Sequence, residues 1–423
     1  MTTRVAILGA GNVGQSLVQL IDEGSERIKA RSSAQLEIVG VGVRDCTKVR
    51  DGIDPALITD DLESLVGRPD VDVVVELIGG LEPARSLIVQ ALKAGKAVVS
   101  ANKELIAREG HDLVTLGATA GTRFVYEAAV GGGIPVLRSL RESLIGEKLL
   151  SITGIVNGTT NYILTQMTEN GSAYEDALKE AQQAGFAEAV PDADTEGFDA
   201  AAKGRVLAQL GFDSIVDEQS VLRVGVSKIS VEDIEAAARL GYVIKPVVQV
   251  QRNDKGQVGV GAYPAMVAHD HPLASVRNSF NALFIKGESV EDLMFYGRGA
   301  GGLPTATAVL GDLIDVAVDR KLTNRPRTTR TLSNNPWPAG ELQAAFYLTL
   351  HVADKPGVLS QVAKVFGDHD ISIRSMEQLG LRDEARLLFI THVSREKDMN
   401  DCLEAFAADD VVIQVGNVMR VLA

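Results

Sequence analysis

The sequence predicts an α/β protein of 423 residues in three parts: a doubly wound parallel sheet of Rossmann type, a second α/β domain, and a terminal βαββαβ unit. Three observations predict it. Over residues 4–146, short apolar runs (RVAILGA, LEIVGVGV, VDVVVELI, KAVVSA, RFVYEAAV) alternate with helical stretches, the rhythm of parallel strands joined by crossover helices. Near Leu149 the segments lengthen, through SITGIVNGTTNYIL and helical patterns over 174–185 and 198–210. From Ala345 the order is strand, helix, strand, strand, helix, strand, which fits a ferredoxin-like layer of antiparallel strands under two helices. The expected divisions are 1–146, 147–320 with a tail near 296–320 returning to the first domain, a linker over 321–344, and 345–423. The stretch 320–340, rich in Thr, Asn, Arg and Pro, reads as an extended connection.

Composition narrows the function. A hydrophobic share of 45% supports packed cores, and a net charge of −14 argues against a nucleic-acid or anionic-membrane footprint, which needs clustered Lys and Arg. Small molecules are the expected partners. Cys46 and Cys402 lie far apart without metal-type spacing, so neither a disulfide framework nor a zinc site is expected. With no leader pattern and no apolar run of membrane-spanning length, the expected location is the cytoplasm.

The first strand runs into GAGNVG, with Gly9, Gly11 and Gly14 spaced as in the dinucleotide fingerprint and Asn12 and Val13 opening an amphipathic helix. In a Rossmann unit the first glycine permits the turn, the second admits the pyrophosphate and the third lets helix and strand pack closely. The second strand ends at Val43, followed by Arg44 and Asp45. A basic residue there suits the 2′-phosphate of NADP, with Lys48 nearby, whereas Asp45 would serve NAD; a merely solvated Arg44 stays open.

Lys103 follows a strand's C-terminal end in VVSANK, where open α/β sheets place ligand-contacting groups. Farther on, Glu188, Asp194, Glu196 and Asp199 lead into a helix carrying Lys203, four residues after Asp199 on the same face. By spacing alone this is either a catalytic pair or one more surface ion pair. His269 and His271, in AHDHP, read as loop histidines and are assigned nothing.

These segments, with EAAVGGGIP (127–135), NGTTNYIL (157–164) and YGRGAGGLPTATAV (296–309), resemble the homoserine dehydrogenases in order along the whole chain. The acidic stretch departs from the family pattern at Val190 and Asp192, which puts its loop shape in doubt. The resemblance implies interconversion of L-aspartate 4-semialdehyde and L-homoserine. It casts Lys203 as proton donor, Lys103 as the lysine at nicotinamide and substrate, and Glu188, Asp194 and Asp199 as groups that hold homoserine. It further implies cofactor contacts at Gly185, Gly299 and Gly301, and a monovalent cation, sodium in character, on Glu127, Val130, Gly132 and Ile134. No kinase-type phosphate loop accompanies them. The alternatives are a Rossmann oxidoreductase for another semialdehyde or a sugar, and a catalytically dead nucleotide and amino-acid sensor, against which the retention of both lysines speaks.

DKPGVL resembles the opening of an ACT domain, a regulatory module of amino-acid biosynthesis. That resemblance places an effector, threonine, at Asp354 and Gly357, and implies a homo-oligomer, dimer or tetramer. The module is expected to be separable from the chemistry.

Overall fold

The computed structural model describes residues 2–319, 331–381 and 384–422. Six parallel strands form the first sheet: β1 (Thr2–Leu8), β2 (Gln35–Gly42), β3 (Ile58–Thr59), β4 (Val73–Glu76), β5 (Ala97–Ser100) and β6 (Phe124–Val125). Their order is β3-β2-β1-β4-β5-β6. Val5 to Leu8 and Val73 to Val75 are fully buried, as expected where helices cover both faces of a parallel sheet. Strand order reverses beside β1, and such crevices are where open sheets bind ligands. The helix Gly302–Asp319 also belongs here: its Val309, Leu313 and Val316 share a core with Leu17, Val18 and Ile21 of the helix Asn12–Ser32.

The second sheet joins two parts of the chain. Its middle-segment strands are β7 (Leu149–Ile155), β8 (Leu222–Arg223), β9 (Tyr242–Arg252), β10 (Val258–Ala268), β11 (Phe280–Gly287) and β12 (Glu291–Arg298). The terminal unit adds β13 (Gln343–Ala353), β14 (Ile373–Leu381), β15 (Glu384–Thr391), β16 (Ser394–Arg395) and β17 (Val412–Leu422). The path β12-β11-β7-β9-β10-β17-β13-β15-β14 is continuous, because β17 pairs in parallel with β10 through Ala265↔Arg420, Met266↔Val421 and Val267↔Leu422.

The terminal strands therefore bury both faces. One face, with Phe346, Leu348 and Leu350, packs on Val362, Phe366, Cys402 and Phe406 of the helices Val358–Asp368 and Glu396–Ala407. The other, with Tyr347, Leu388, Ile390 and Met419, shares a core with Tyr162, Ile234, Ile244 and Met266 of the middle domain. This corrects the expectation of a separable module: its sheet, and the core on one face of that sheet, are held in common with the catalytic domain. The connection expected over 320–340 lies outside the described residues up to 330. Beyond that it is tied down, with Ser333 N–H donating to Asp213 O at 2.8 Å and Trp337 N–H to Val258 O at 2.8 Å. Among the described residues no helix is long and apolar enough to cross a membrane.

Candidate active site

The glycines after β1 show what their spacing is for. Gly9 has φ +104°, and a Cβ there would stand 2.7 Å from Leu77 O; a Cβ on Gly14 would stand 2.1 Å from Gly9 O. Around Gly11, by contrast, a Cβ would meet nothing within 4 Å. Gly11 caps the helix Asn12–Ser32 without any side-chain hydrogen bond, so the first-turn N–H groups of Asn12, Val13 and Gly14 face an open space suited to a pyrophosphate. A second helix start converges on the same place, since a Cβ on Gly302 would lie 3.0 Å from Asn12 O. Gly301, with φ +116°, turns the chain into that helix. Gly299 instead packs on the Asn281 side chain and against Gly132, which accounts for its lack of a side chain without a ligand.

Arg44 is exposed beyond β2. Asp45 is engaged locally, its Oδ1 accepting from Thr47 N–H at 2.9 Å and Thr47 Oγ1 at 2.6 Å. That hydrogen bonding, with the side-chain bond to Thr47 foremost, holds the Asp45 carboxyl below its usual range.

Lys103 begins the helix Lys103–Thr119, whose cap Asn102 accepts from Leu105 N–H at 3.2 Å. Asp199 and Lys203 lie on the helix Phe198–Phe212 of the middle domain. The two elements meet at one carboxylate: Lys103 Nζ pairs with Asp199 Oδ1, and Lys203 Nζ donates to Asp199 Oδ2 at 2.7 Å and to Val156 O at 2.6 Å. The Lys103 side chain is 45% exposed, whereas those of Lys203 and Asp199 are 11% and 4% exposed. The i,i+4 pair is thus a buried triad with a third, more accessible member, and the surface-pair alternative falls.

Burial pushes Asp199 upward, but the Lys203 and Lys103 charges outweigh it and hold the carboxyl well below its ordinary value. For Lys203 burial dominates and, helped by repulsion from Lys103, lowers the ammonium despite Asp199. Burial also acts on Lys103, but there Asp199, Asp194 and Glu188 prevail and the ammonium is raised. The site therefore holds one firmly charged lysine and one displaced toward neutrality.

Asn157 organises the acids. It caps the helix Gly158–Asn170, its Oδ1 accepting from Thr160 N–H at 2.9 Å, which aims both amide hydrogens at carboxylates: Asp194 Oδ1 at 2.7 Å and Asp199 Oδ2 at 2.8 Å. Thr159 Oγ1 lies 2.9 Å from Asp194 Oδ2. Sequence reasoning used NGTT only as a resemblance and gave neither residue a role. The signal was present, since a cap residue with a free amide upstream of an acidic stretch can serve both.

Lys103, Glu188, Asp194 and Asp199 line a cleft of about 340 Å³, together with Arg223, whose guanidinium lies 3.6 Å over the Phe198 ring. Glu188 is exposed there, and Lys203 stands behind Asp199, outside the lining. Gly185, with φ +76°, ends the preceding helix in open space.

Elsewhere, the Glu127 carboxylate accepts from Leu137 N–H at 2.9 Å and Arg138 N–H at 2.6 Å, so its side-chain oxygens are engaged. Burial first, then the Asp312 carboxylate, push it up to about 7. The buried loop turns through Gly131 and Gly132, at φ +77° and +56°, and Ile134 O accepts from Val136 N–H at 2.8 Å. A hard cation here would rest on main-chain carbonyls, the oxygen donors such ions prefer. Gly357 caps the helix Val358–Asp368 with φ +92°, next to Asp354 in the turn after β13.

Comparison with known proteins agrees with this architecture. Family models match for "Homoserine dehydrogenase, NAD binding domain" over residues 9–127, "Homoserine dehydrogenase" over 135–314 and "ACT domain" over 346–409. The chain is 44% identical over 427 residues to a homoserine dehydrogenase of Mycobacterium tuberculosis, covering 98% of this chain and 97% of that protein. A crystal structure of a homoserine dehydrogenase from Thiobacillus denitrificans superposes with a TM-score of 0.94 at 34% identity, covering 100% of this chain and 98% of that one. A hyperthermophilic archaeal homoserine dehydrogenase in complex with NADPH matches 75% of this chain and 98% of its own, with a TM-score of 0.65 at 26% identity.

Proposed function

The chain belongs to the homoserine dehydrogenase family, oxidoreductases that interconvert L-homoserine and L-aspartate 4-semialdehyde with a nicotinamide cofactor, and from that premise we propose how its residues share the work. The observation that carries the proposal is the Lys103–Asp199–Lys203 triad, in which Lys103 and Asp199 line the cleft and Lys203 stands directly behind Asp199. When bound, the nicotinamide supplies or accepts the hydride. In reduction, the carbonyl oxygen gains alkoxide character, which Lys103 stabilises as a fixed charge while Lys203 provides the proton, directly or through a water. The lowered Lys203 ammonium suits a group that must also serve as base for homoserine oxidation, a reaction this mechanism favours at alkaline pH. Glu188, Asp194 and Asp199 receive the substrate ammonium by charge-assisted hydrogen bonds.

The cofactor is NADP in this reading: Arg44 is exposed beside the ribose position, Asp45 is held by Thr47, and the archaeal relative is described with NADPH. The loop of Glu127, Val130, Gly132 and Ile134 would hold a monovalent cation, sodium in character, through main-chain carbonyls. The enzyme works as a cytoplasmic homo-oligomer, and threonine acts through the terminal domain. Following NADPH absorbance with aspartate semialdehyde, with and without threonine, tests the whole. NADPH oxidation that threonine slows supports it; oxidation only with other aldehydes sinks the substrate, and indifference to threonine sinks the effector.

A further inference from the structure

Homoserine and aspartate semialdehyde bring one more group to the cleft, an α-carboxylate beside the ammonium that Glu188, Asp194 and Asp199 receive. Taken out of water, a carboxylate needs a cation or several N–H donors. The cations in the cleft lining are Lys103, Arg108, Arg205 and Arg223. Lys103 is committed to Asp199 Oδ1, and Arg108 pairs with Glu104 Oε1 at 3.6 Å. Arg205 donates through Nε to Val216 O at 2.8 Å. Burial lowers its guanidinium from the ordinary value, and the charges it feels are those of Glu218, Asp217 and Arg108, at the end of the cleft away from the acids.

Arg223 differs from these. Its backbone is fixed where β8 pairs with β10, through Ala262↔Arg223, and Val224 N–H donates to Ala262 O at 2.9 Å. Its guanidinium is fixed as well: Nη1 donates to Glu196 O at 2.7 Å, and the group lies 3.6 Å over the Phe198 ring, which also lines the cleft. Gly197, at φ +79°, carries the chain between those two supports, where a Cβ would stand 3.4 Å from Arg223 Cγ. The guanidinium therefore rests on the very segment, 194–199, that supplies Asp194 and Asp199. Among the described residues no carboxylate pairs with it.

With one ring face stacked and Nη1 engaged, the Nε–Nη2 edge of the fork is left over, and that edge matches the two oxygens of a carboxylate. We infer that Arg223 receives the substrate's α-carboxylate and so selects amino-acid alcohols and aldehydes over simple ones. The inference rests on the homoserine reading and names the partner that reading leaves out. With the ammonium on the acids and the carboxylate on Arg223, the chain beyond Cα is the part that points to Lys103 and Lys203. Attachment at ammonium, carboxylate and reacting oxygen also fixes the hand of the substrate. Because Arg223 is already held by Glu196 O and Phe198, little side-chain freedom is lost when the carboxylate arrives.

Steady-state oxidation of L-homoserine by the full chain with NADP tests it, together with inhibition by 3-aminopropan-1-ol, which is homoserine without its carboxylate. Arg223→Met keeps a long stem over Phe198 and removes the fork. The KM for L-homoserine should rise at least about tenfold, while the Ki for 3-aminopropan-1-ol and the KM for NADP stay at their wild-type values. Arg223→Lys, which keeps the charge without the fork, should fall between the two. An unchanged KM for L-homoserine in Arg223→Met overturns the assignment and leaves the carboxylate to main-chain N–H groups. Equal weakening of L-homoserine and 3-aminopropan-1-ol overturns it too, since that marks a structural role for Arg223. A wild-type chain that oxidises another alcohol but not homoserine overturns the substrate reading, and the inference with it.

Discussion

Lys103 and Lys203 hold opposite oxygens of one carboxylate, that of Asp199, although Lys103 comes from the parallel-sheet domain and Lys203 from the middle domain. The ion pair at Lys103 is thus both part of the reaction centre and a clasp across the cleft. Breaking it on either side should be felt in the chemistry on the other.

Because Lys103 is one of the charges that lower Lys203, removing it should let the Lys203 ammonium rise. In Lys103→Met, homoserine oxidation should lose about 10²-fold or more in kcat. The remaining rate should climb with pH along a limb displaced to higher pH, since Lys203 must be neutral to act as base. An unchanged pH profile would show that the two lysines are not coupled.

Asn157 spends both amide hydrogens on carboxylates, and hydrogen bonds to charged groups are worth about 1.5–3 kcal/mol each. Asn157→Ala should therefore reduce kcat/KM for homoserine about 10-fold to 100-fold, by releasing Asp194 and Asp199, with KM for NADP little changed. Steady-state kinetics in both substrates decide it. Equal losses for both would point to a general loss of fold instead.

Arg44→Ala should weaken NADPH more than NADH, because only the former carries the extra phosphate. The comparison of the two cofactors' KM values is the check. Equal loss would mean that Arg44 does not read the phosphate.

Much of this was legible because it is local. The fingerprint at Gly9, Gly11 and Gly14 sits between one strand and one helix, and the Asp199–Lys203 spacing is a single helical turn. Lys103 lies almost a hundred residues away, so only the fold could show that it completes the triad. The shared sheet was harder for a different reason. In FYLTLH, Phe346, Leu348 and Leu350 share one face, while Tyr347, Thr349 and His351 on the other give the alternation of a strand buried on one side. A βαββαβ unit explains only one of those faces, through its own two helices. What covers the other face, around Tyr347, depends on β10 meeting β17, a pairing more than 150 residues apart with no local signature.

Ending the chain at Asn335 should consequently unfold more than the terminal unit. It removes Tyr347, Leu388, Ile390, Met419 and Val421 from the core that Ile244 and Met266 share. Burying a large apolar side chain is worth about 1.5–3 kcal/mol, and a whole domain is stable by only about 5–15 kcal/mol. Circular dichroism melts should show a large fall in Tm, with aggregation or protease sensitivity of the middle domain. A truncated chain with wild-type Tm and kcat would show that the catalytic part stands alone.

The most direct test of the triad is the turnover of Lys203→Ala in NADPH-dependent reduction of aspartate semialdehyde at saturating substrate, with NADPH affinity measured separately by fluorescence titration. With Lys203 as the proton donor, kcat falls about 10²-fold or more while NADPH affinity stays nearly unchanged. Turnover close to that of the wild-type chain, in a variant that still binds NADPH, would contradict the assignment.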